Sequence, residues 1–202
     1  RQKCINWMKE SSQGSVHLAS GLNASRLPIL EKARYCPDCV QEQLTQKGEA
    51  FWSRQWQIVG ADYCLKHQKK LVDSTLDFRS PHRHEFFPIS EMLLLDTTTD
   101  NVLITIDDKF LTKKILELLQ LKSMKSPTYG QWTAFYNNLA LSNDCIKGNT
   151  QIVFERIREK FLNRWDINLL KRFNLDDLES DNNWLVSIFR KHRKSFSYLE
   201  HL

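Results

Sequence analysis

Four residues with metal-binding side chains lie in two short, evenly spaced pairs in the first half of the chain. The first pair is Cys36 and Cys39 in the run CPDC, and the second is Cys64 and His67 in the run CLKH, with 24 residues between the pairs. Two intervening residues let a tight backbone turn aim both ligands at one point, so two such pairs can form a tetrahedron. The spacing predicts a zinc site with three thiolates and one imidazole.

Four protein ligands leave no coordination position for water or substrate. A catalytic zinc keeps such a position open, so the pattern indicates a structural Zn²⁺ rather than a zinc hydrolase. Two alternatives compete with it. The four residues could be coincidental, or the CPDC run could be a redox dithiol, although redox CxxC motifs belong to a βαβ context that this sequence does not show.

The composition is that of a globular protein. Of the 202 residues 41% are hydrophobic, with 11 Phe and 6 Trp, which is enough for packed cores. There is no run of 18 apolar residues and no signal peptide, so we expect a soluble, cytoplasmic protein without a membrane partner. The chain starts at Arg1 without Met, which leads us to expect an internal fragment. The net charge of +5 decides little by itself.

Hydrophobic periodicity divides the chain into four segments. We expect a helical lead-in over 1–33, a zinc ribbon over 34–75, a connector over 76–96 and a helical domain over 97–202. The fold class is therefore mainly α with a small zinc-ribbon module that contains β-structure, followed by a helical bundle with a helix-turn-helix-like arrangement. His82 and His84 in the connector could form a second metal site, but a solvated turn or a phosphate contact fits them better.

Local signals place the elements within these segments. In the ribbon we expect a short helix over Val40 to Gln46 that ends near Gly48, and a strand over Phe51 to Ile58. The helical domain shows apolar residues at helical spacing over Leu103–Leu119, Tyr129–Leu141 and Gln151–Trp165, with Thr128 and Thr150 as predicted N-caps, and a last helix from near Asn182 that reaches Leu199.

Basic residues are concentrated on the last two of these helices. An amphipathic helix with a cationic edge fits a phosphate backbone, although the same pattern also describes an ordinary solvated face. Binding through such an edge weakens steeply with salt, because each docked cation releases counterions. The candidate DNA-binding residues are Arg156, Arg158, Lys160, Arg190, Lys191, Arg193 and Lys194. His192, on the apolar side, is expected to be a packed core histidine.

Two runs of sequence resemble the TniQ/TnsD family, the target-selection proteins of Tn-seven-type transposons and their CRISPR-associated relatives. They are RYCPDCVQEQLTQKGEAFWSRQWQIVGADYCLKHQKKLV, from Arg34 to Val72, and NWLVSIFRKHRKSFSYLEH, from Asn183 to His201. The first carries CPxC, a Gly before an aromatic pair and Arg, and a closing CxxH with Leu71 four residues on. Relatives differ around Trp56–Val59 and at Leu65, which leaves every ligand unchanged.

The resemblance implies a bacterial, nucleoid-associated targeting subunit built of helices, zinc ribbons and helix-turn-helix elements. It also implies recognition of a chromosomal attachment site on double-stranded DNA and recruitment of a TnsC-like AAA+ ATPase regulator. An alternative is a scaffold that docks the ATPase or a CRISPR effector complex without reading DNA itself. An enzyme is the third class, and we exclude it because the sequence has no GxSxG, phosphate loop, HExxH or acidic triad at metal spacing.

Overall fold

The computed structural model describes residues 26–77, 87–89, 104–122, 127–148 and 151–202. These residues form two compact units, one within 29–120 and the other made of 26–28 and 121–202. In the described ranges most of the regular structure is helical, and the strands form three two-stranded antiparallel sheets. The predicted fold class, mainly α with a small β-containing module around a Cys₃His cluster, is confirmed. The four predicted segment boundaries stay a prediction.

Two small sheets frame the first unit. Strand β1 (Lys32–Tyr35) pairs with β4 (Val72–Asp77), and β2 (Tyr63–Cys64) pairs with β3 (Lys69–Lys70) across a tight turn. Because β1 begins at Lys32, the end of the predicted helical lead-in is strand and not helix.

Helix α1 (Pro37–Lys47) follows β1 and confirms the predicted short helix. Pro37 occupies the first turn, where its missing N–H costs nothing, and Asp38 and Lys47 match the helix dipole at the two ends. Gly48 caps the C-terminus at φ 74°, and its N–H donates to the Leu44 carbonyl at 3.0 Å. An L-residue at this left-handed position would be strained.

The predicted strand over Phe51–Ile58 is wrong. Residues Arg54–Gln57 form a 3₁₀ turn that buries Trp56. The Gln57 side-chain amide forms the hydrogen bonds that a paired strand would otherwise make with β1. Its Nε2 donates to the Arg34 carbonyl at 2.6 Å, and its Oε1 accepts from the Arg34 N–H at 2.9 Å. One side chain thus satisfies the backbone of β1 at its irregularity, as a neighbouring strand would.

The core of this unit surrounds the two CxxC/H runs. Its buried members are Tyr35, Cys36, Val40, Trp56, Cys64, Leu71 and Ile89. Trp52 packs edge-on against Tyr35 and donates from Nε1 to the Phe87 carbonyl at 2.8 Å. Helix α2 (Ile106–Gln120) completes the unit and confirms the helix predicted over Leu103–Leu119.

The second unit begins with helix α3 (Tyr129–Ser142). The predicted N-cap at Thr128 is confirmed, and it forms a full capping box with Gln131. A hairpin of β5 (Ile146–Lys147) and β6 (Gln151–Ile152) follows, with Gly148 at φ 61° in its turn. Helix α4 (Phe154–Arg164) has Val153 at its N-cap position, so the predicted N-cap at Thr150 is wrong.

The predicted last helix is not continuous. After α5 (Ile167–Arg172), the chain forms two short helices, α6 (Trp184–Phe189) and α7 (Tyr198–His201). Ser197 explains the interruption, because its side chain and Glu200 form a capping box, and an N-cap residue must have extended backbone angles. Residues 190–197 are therefore non-helical, and we call residues 190–194 the basic loop.

Several predictions from the sequence lie outside the described residues. These are the lead-in over 1–25 and the pair His82 and His84. Within the described part of the chain, no helix is both long and apolar enough to cross a bilayer.

Candidate metal centre and nucleic-acid interface

The four predicted ligands converge at one point of the first unit. Cys36 lies at the N-cap of α1 and Cys39 in its first turn, while Cys64 ends β2 and His67 lies in the turn before β3. One ligand atom from each lies within 4.8 Å of all the others. The four residues could therefore hold a metal ion, as the spacing predicts.

The distances between the ligand atoms match a tetrahedral site. The Nδ1 atom of His67 is 3.5, 3.2 and 3.7 Å from the sulfurs of Cys36, Cys39 and Cys64, and the sulfurs of Cys39 and Cys64 are 3.6 Å apart. Ideal tetrahedral zinc, with bonds of about 2.3 Å to sulfur and about 2.0 Å to nitrogen, requires edges of about 3.8 Å between sulfurs and about 3.5 Å between sulfur and nitrogen. The donor set and its spacing both fit Zn²⁺.

Acidic side chains of α1 surround the ligands on the solvent side. Oε1 of Glu42 lies 3.0 Å from Nε2 of His67, and its other oxygen pairs with Lys66. Hydrogen bonding to Lys66, and secondly to His67, lowers the pKa of Glu42, while the bond to Glu42 raises the pKa of His67. The Glu42 contact places the ring proton on Nε2 and leaves Nδ1 facing the sulfurs. Asp38 forms a similar exposed pair with Lys69 at 2.8 Å.

Sequence reasoning missed Glu42, although a signal was present. Glu42 follows Cys39 by three residues on the predicted helix, and residues three apart share a helix face. A carboxylate on the helix face that carries a ligand can therefore accept a hydrogen bond from the ring nitrogen of a histidine ligand that points away from the metal.

The thiols argue against a redox dithiol. Burial raises the pKa of both Cys36 and Cys39, whereas a reactive CxxC pair needs one thiol with a lowered pKa. The pKa of Cys64 is lowered despite its burial, because the backbone N–H of His67 and neighbouring groups bond to its sulfur. All described cysteines are free, and Cys145 is a buried thiol.

The predicted DNA-binding residues fall into two groups. Arg190, Lys191, Arg193 and Lys194 belong to the basic loop and are exposed. The backbone N–H of His192 donates to Oγ1 of Thr133 at 3.0 Å, which fixes this loop against α3. His192 itself is 4% exposed and stacks on Tyr136, so the expected core histidine is confirmed.

The cations of α4 are partly engaged within the unit. Arg156 donates to the Asp144 carbonyl at 2.9 Å, and Arg158 pairs with Glu179 at 2.7 Å. Lys160 is exposed on the same helix. Because Arg158 is already paired with a carboxylate, the basic loop is the stronger candidate for contact with an external anion.

Comparison with known proteins shows what this chain is similar to. Residues 2–71 match the TniQ family model, and this match contains all four candidate ligands. The chain is also 38% identical over 208 positions to the transposon Tn7 transposition protein TnsD of Escherichia coli. Together, these two matches support a TniQ/TnsD family protein. The alignment covers 100% of this chain but 39% of TnsD, so the chain spans less than half the length of that relative. The basic loop lies outside the TniQ match, in the part of the chain that the TnsD alignment covers.

Proposed function

We propose that this chain is part of a non-enzymatic target selector of a Tn7-type transposition system. In this role it binds double-stranded DNA at a chromosomal attachment site and recruits the AAA+ ATPase regulator of the transposase. The observation that supports the proposal most is the 38% identity to TnsD, which extends over the whole of this chain and is not confined to the cysteine-rich part.

In this proposal the Cys₃His cluster holds Zn²⁺ in a structural role. Cys36, Cys39, Cys64 and His67 supply the four ligands, and the bound ion would join α1 to the β2–β3 turn. The unit is small and its core is built on two of the ligands, Cys36 and Cys64. A structural ion in such a module supplies folding free energy that the small apolar core lacks.

The basic loop is the proposed contact with the phosphate backbone. Its four cations follow α6 directly, and its backbone is held on α3 by the hydrogen bond from His192 to Thr133. A fixed loop loses little conformational entropy when it binds, which makes its charges more effective. Arg156, Arg158 and Lys160 on α4 would contribute secondarily.

The test is a mobility-shift titration with labelled duplex DNA over a range of salt concentrations. For a DNA-binding chain, the logarithm of the binding constant falls linearly with the logarithm of the salt concentration. Arg193→Ala should lower both the affinity and the steepness of this salt dependence, whatever the sequence of the DNA. Arg172 to Ala is the control, since Arg172 is an exposed arginine in the last turn of α5. No shift at any salt concentration contradicts the proposal.

A second candidate function is a docking scaffold for the ATPase or for a CRISPR effector. Exposed apolar side chains on α3 favour it, since Phe135 and Leu139 lie one turn apart and are 52% and 38% exposed. Co-purification with the AAA+ ATPase tests this function. Phe135 to Ser should abolish the association if α3 is the docking surface, and association without DNA binding would favour the scaffold over the selector.

A further inference from the structure

A solvent-facing groove in the second unit carries an excess of unpaired positive charge. The groove has a volume of about 700 Å³ and lies between α3, the β5–β6 hairpin and the start of the basic loop. Lys147, Arg190 and Lys191 line it, with Glu155 as the lining carboxylate. The charge of the lining is therefore +2, from three cations and one anion.

These cations are free to meet an external anion. Lys147, Arg190 and Lys191 are all exposed, and none pairs with a carboxylate in the described part of the chain. Arg190 is nevertheless held in place, because its guanidinium lies over the Phe154 ring at 5.5 Å and donates to Oδ1 of Asn182 at 3.0 Å. A pre-positioned guanidinium loses less entropy on binding phosphate than a free one.

A neighbouring groove, which shares Arg190 and Glu155 with the first, has no such excess of positive charge. That groove has a volume of about 260 Å³ and lies between α4 and α6. Arg190 and Glu155 line both grooves, but here Arg158, Glu179 and Asp181 are added to them, and Arg158 is bound to Glu179. It therefore offers no net attraction to a polyanion.

Two unengaged amides distinguish the larger groove from a simple phosphate site. Asn137 of α3 and Gln151 of β6 line it with exposed side chains. Asn and Gln can each form paired hydrogen bonds with an adenine edge, whereas a small anion needs only the cations. The three cations also come from separate segments, the hairpin and the basic loop, so they suit an extended polyanion better than a single phosphate group.

We infer that this groove seats the DNA duplex, with Lys147, Arg190 and Lys191 on phosphates and Asn137 and Gln151 at base edges. The inference rests on the proposed function and adds to it the β5–β6 hairpin and the exposed side of α3 as parts of the interface. Glu155 opposes the bound phosphates and moderates the affinity.

The experiment measures the anisotropy of a fluorescent duplex of random sequence, with the full chain and a salt series. Lys147→Ala and Lys191→Ala should each reduce the salt slope by about 0.9, which corresponds to about eightfold weaker binding at about 0.1 M salt. Glu155→Gln should bind more tightly than the wild type. Lys171→Ala is the matched control, because Lys171 is an exposed lysine of the same unit outside the groove.

The outcomes separate this inference from the proposed function. If the wild type binds with a salt-dependent affinity and both lysine variants match Lys171→Ala, the groove is not the seat although DNA binding stands. That outcome includes the case in which an acidic protein segment occupies the groove. If the wild type does not bind at all, both ideas fail.

The amides require a second measurement, selection from a randomised duplex library. Asn137→Ala and Gln151→Ala should leave binding to random DNA unchanged and weaken binding to the selected sequence by about fivefold to 150-fold. Unchanged selection by both variants overturns the assignment of these amides to base edges.

Discussion

Replacing Glu42 tests how the metal centre is held. Oε1 of Glu42 lies 3.0 Å from Nε2 of His67, and the contact keeps Nδ1 directed at the three sulfurs. Loss of such a carboxylate behind a histidine ligand typically weakens metal binding by about 10-fold to 100-fold. The Glu42 side chain is 37% exposed, and water can replace part of its contact with His67. We therefore expect Glu42→Ala to weaken zinc binding by about tenfold, near the lower end of this range.

The assay is competition for zinc against a chromophoric chelator at neutral pH. Glu42→Gln separates charge from hydrogen bonding, because its amide oxygen can still accept from Nε2 while the negative charge is gone. Its affinity should lie between those of the wild type and Glu42→Ala. Glu49→Ala is the control, since Glu49 is an exposed carboxylate just beyond α1. If Glu42→Ala and Glu49→Ala bind zinc equally well, the contact does not position His67.

Three further predictions concern stability. Cys64→Ser removes one ligand and, with it, folding free energy on the order of 10 kcal/mol. Circular dichroism should therefore show that the first unit is unfolded while the helices of 127–202 persist. An unchanged spectrum with full zinc content would refute the four-ligand site. His192 is buried, which lowers its pKa below the ordinary 6.5, so the unfolded chain binds this proton more readily and stability falls as the pH drops below about 6.5. Between about pH 7 and about pH 5.5, the Tm of His192→Phe should therefore fall by less than the Tm of the wild type. An equal fall would show that His192 does not contribute to the pH dependence of stability. Ser197→Ala removes the cap of α7 and should cost about 1 kcal/mol in chemical denaturation, whereas an unchanged midpoint would show that the capping box is not formed.

The convergence of the four candidate ligands was the feature that the sequence predicted best. Metal ligands need a fixed spacing along the chain, and Cys36, Cys39, Cys64 and His67 show that spacing directly. Helices with strong periodicity and clear caps were also predictable, as Thr128 at the start of α3 shows. These features are local, so one stretch of sequence contains the whole signal.

The errors arise where a tertiary contact overrides a local pattern. The alternation over Phe51–Ile58 indicated a strand, but the Gln57 side chain bonds to Arg34, 23 residues away, and Trp56 is the one fully buried residue of this segment. The apolar spacing through the basic loop indicated one long helix, but Ser197 and Glu200 form a capping box that starts a separate helix. The groove beside α3 joins segments that no periodicity connects, so Lys147 and Asn137 could not be singled out from sequence.

X-ray absorption at the zinc edge of the purified chain tests the central claim most directly, namely that these four residues hold a structural zinc ion. We expect one zinc per chain with three sulfurs at about 2.3 Å and one nitrogen at about 2.0 Å. A folded chain without zinc, or a spectrum with oxygen ligands or a different number of sulfurs, would contradict it.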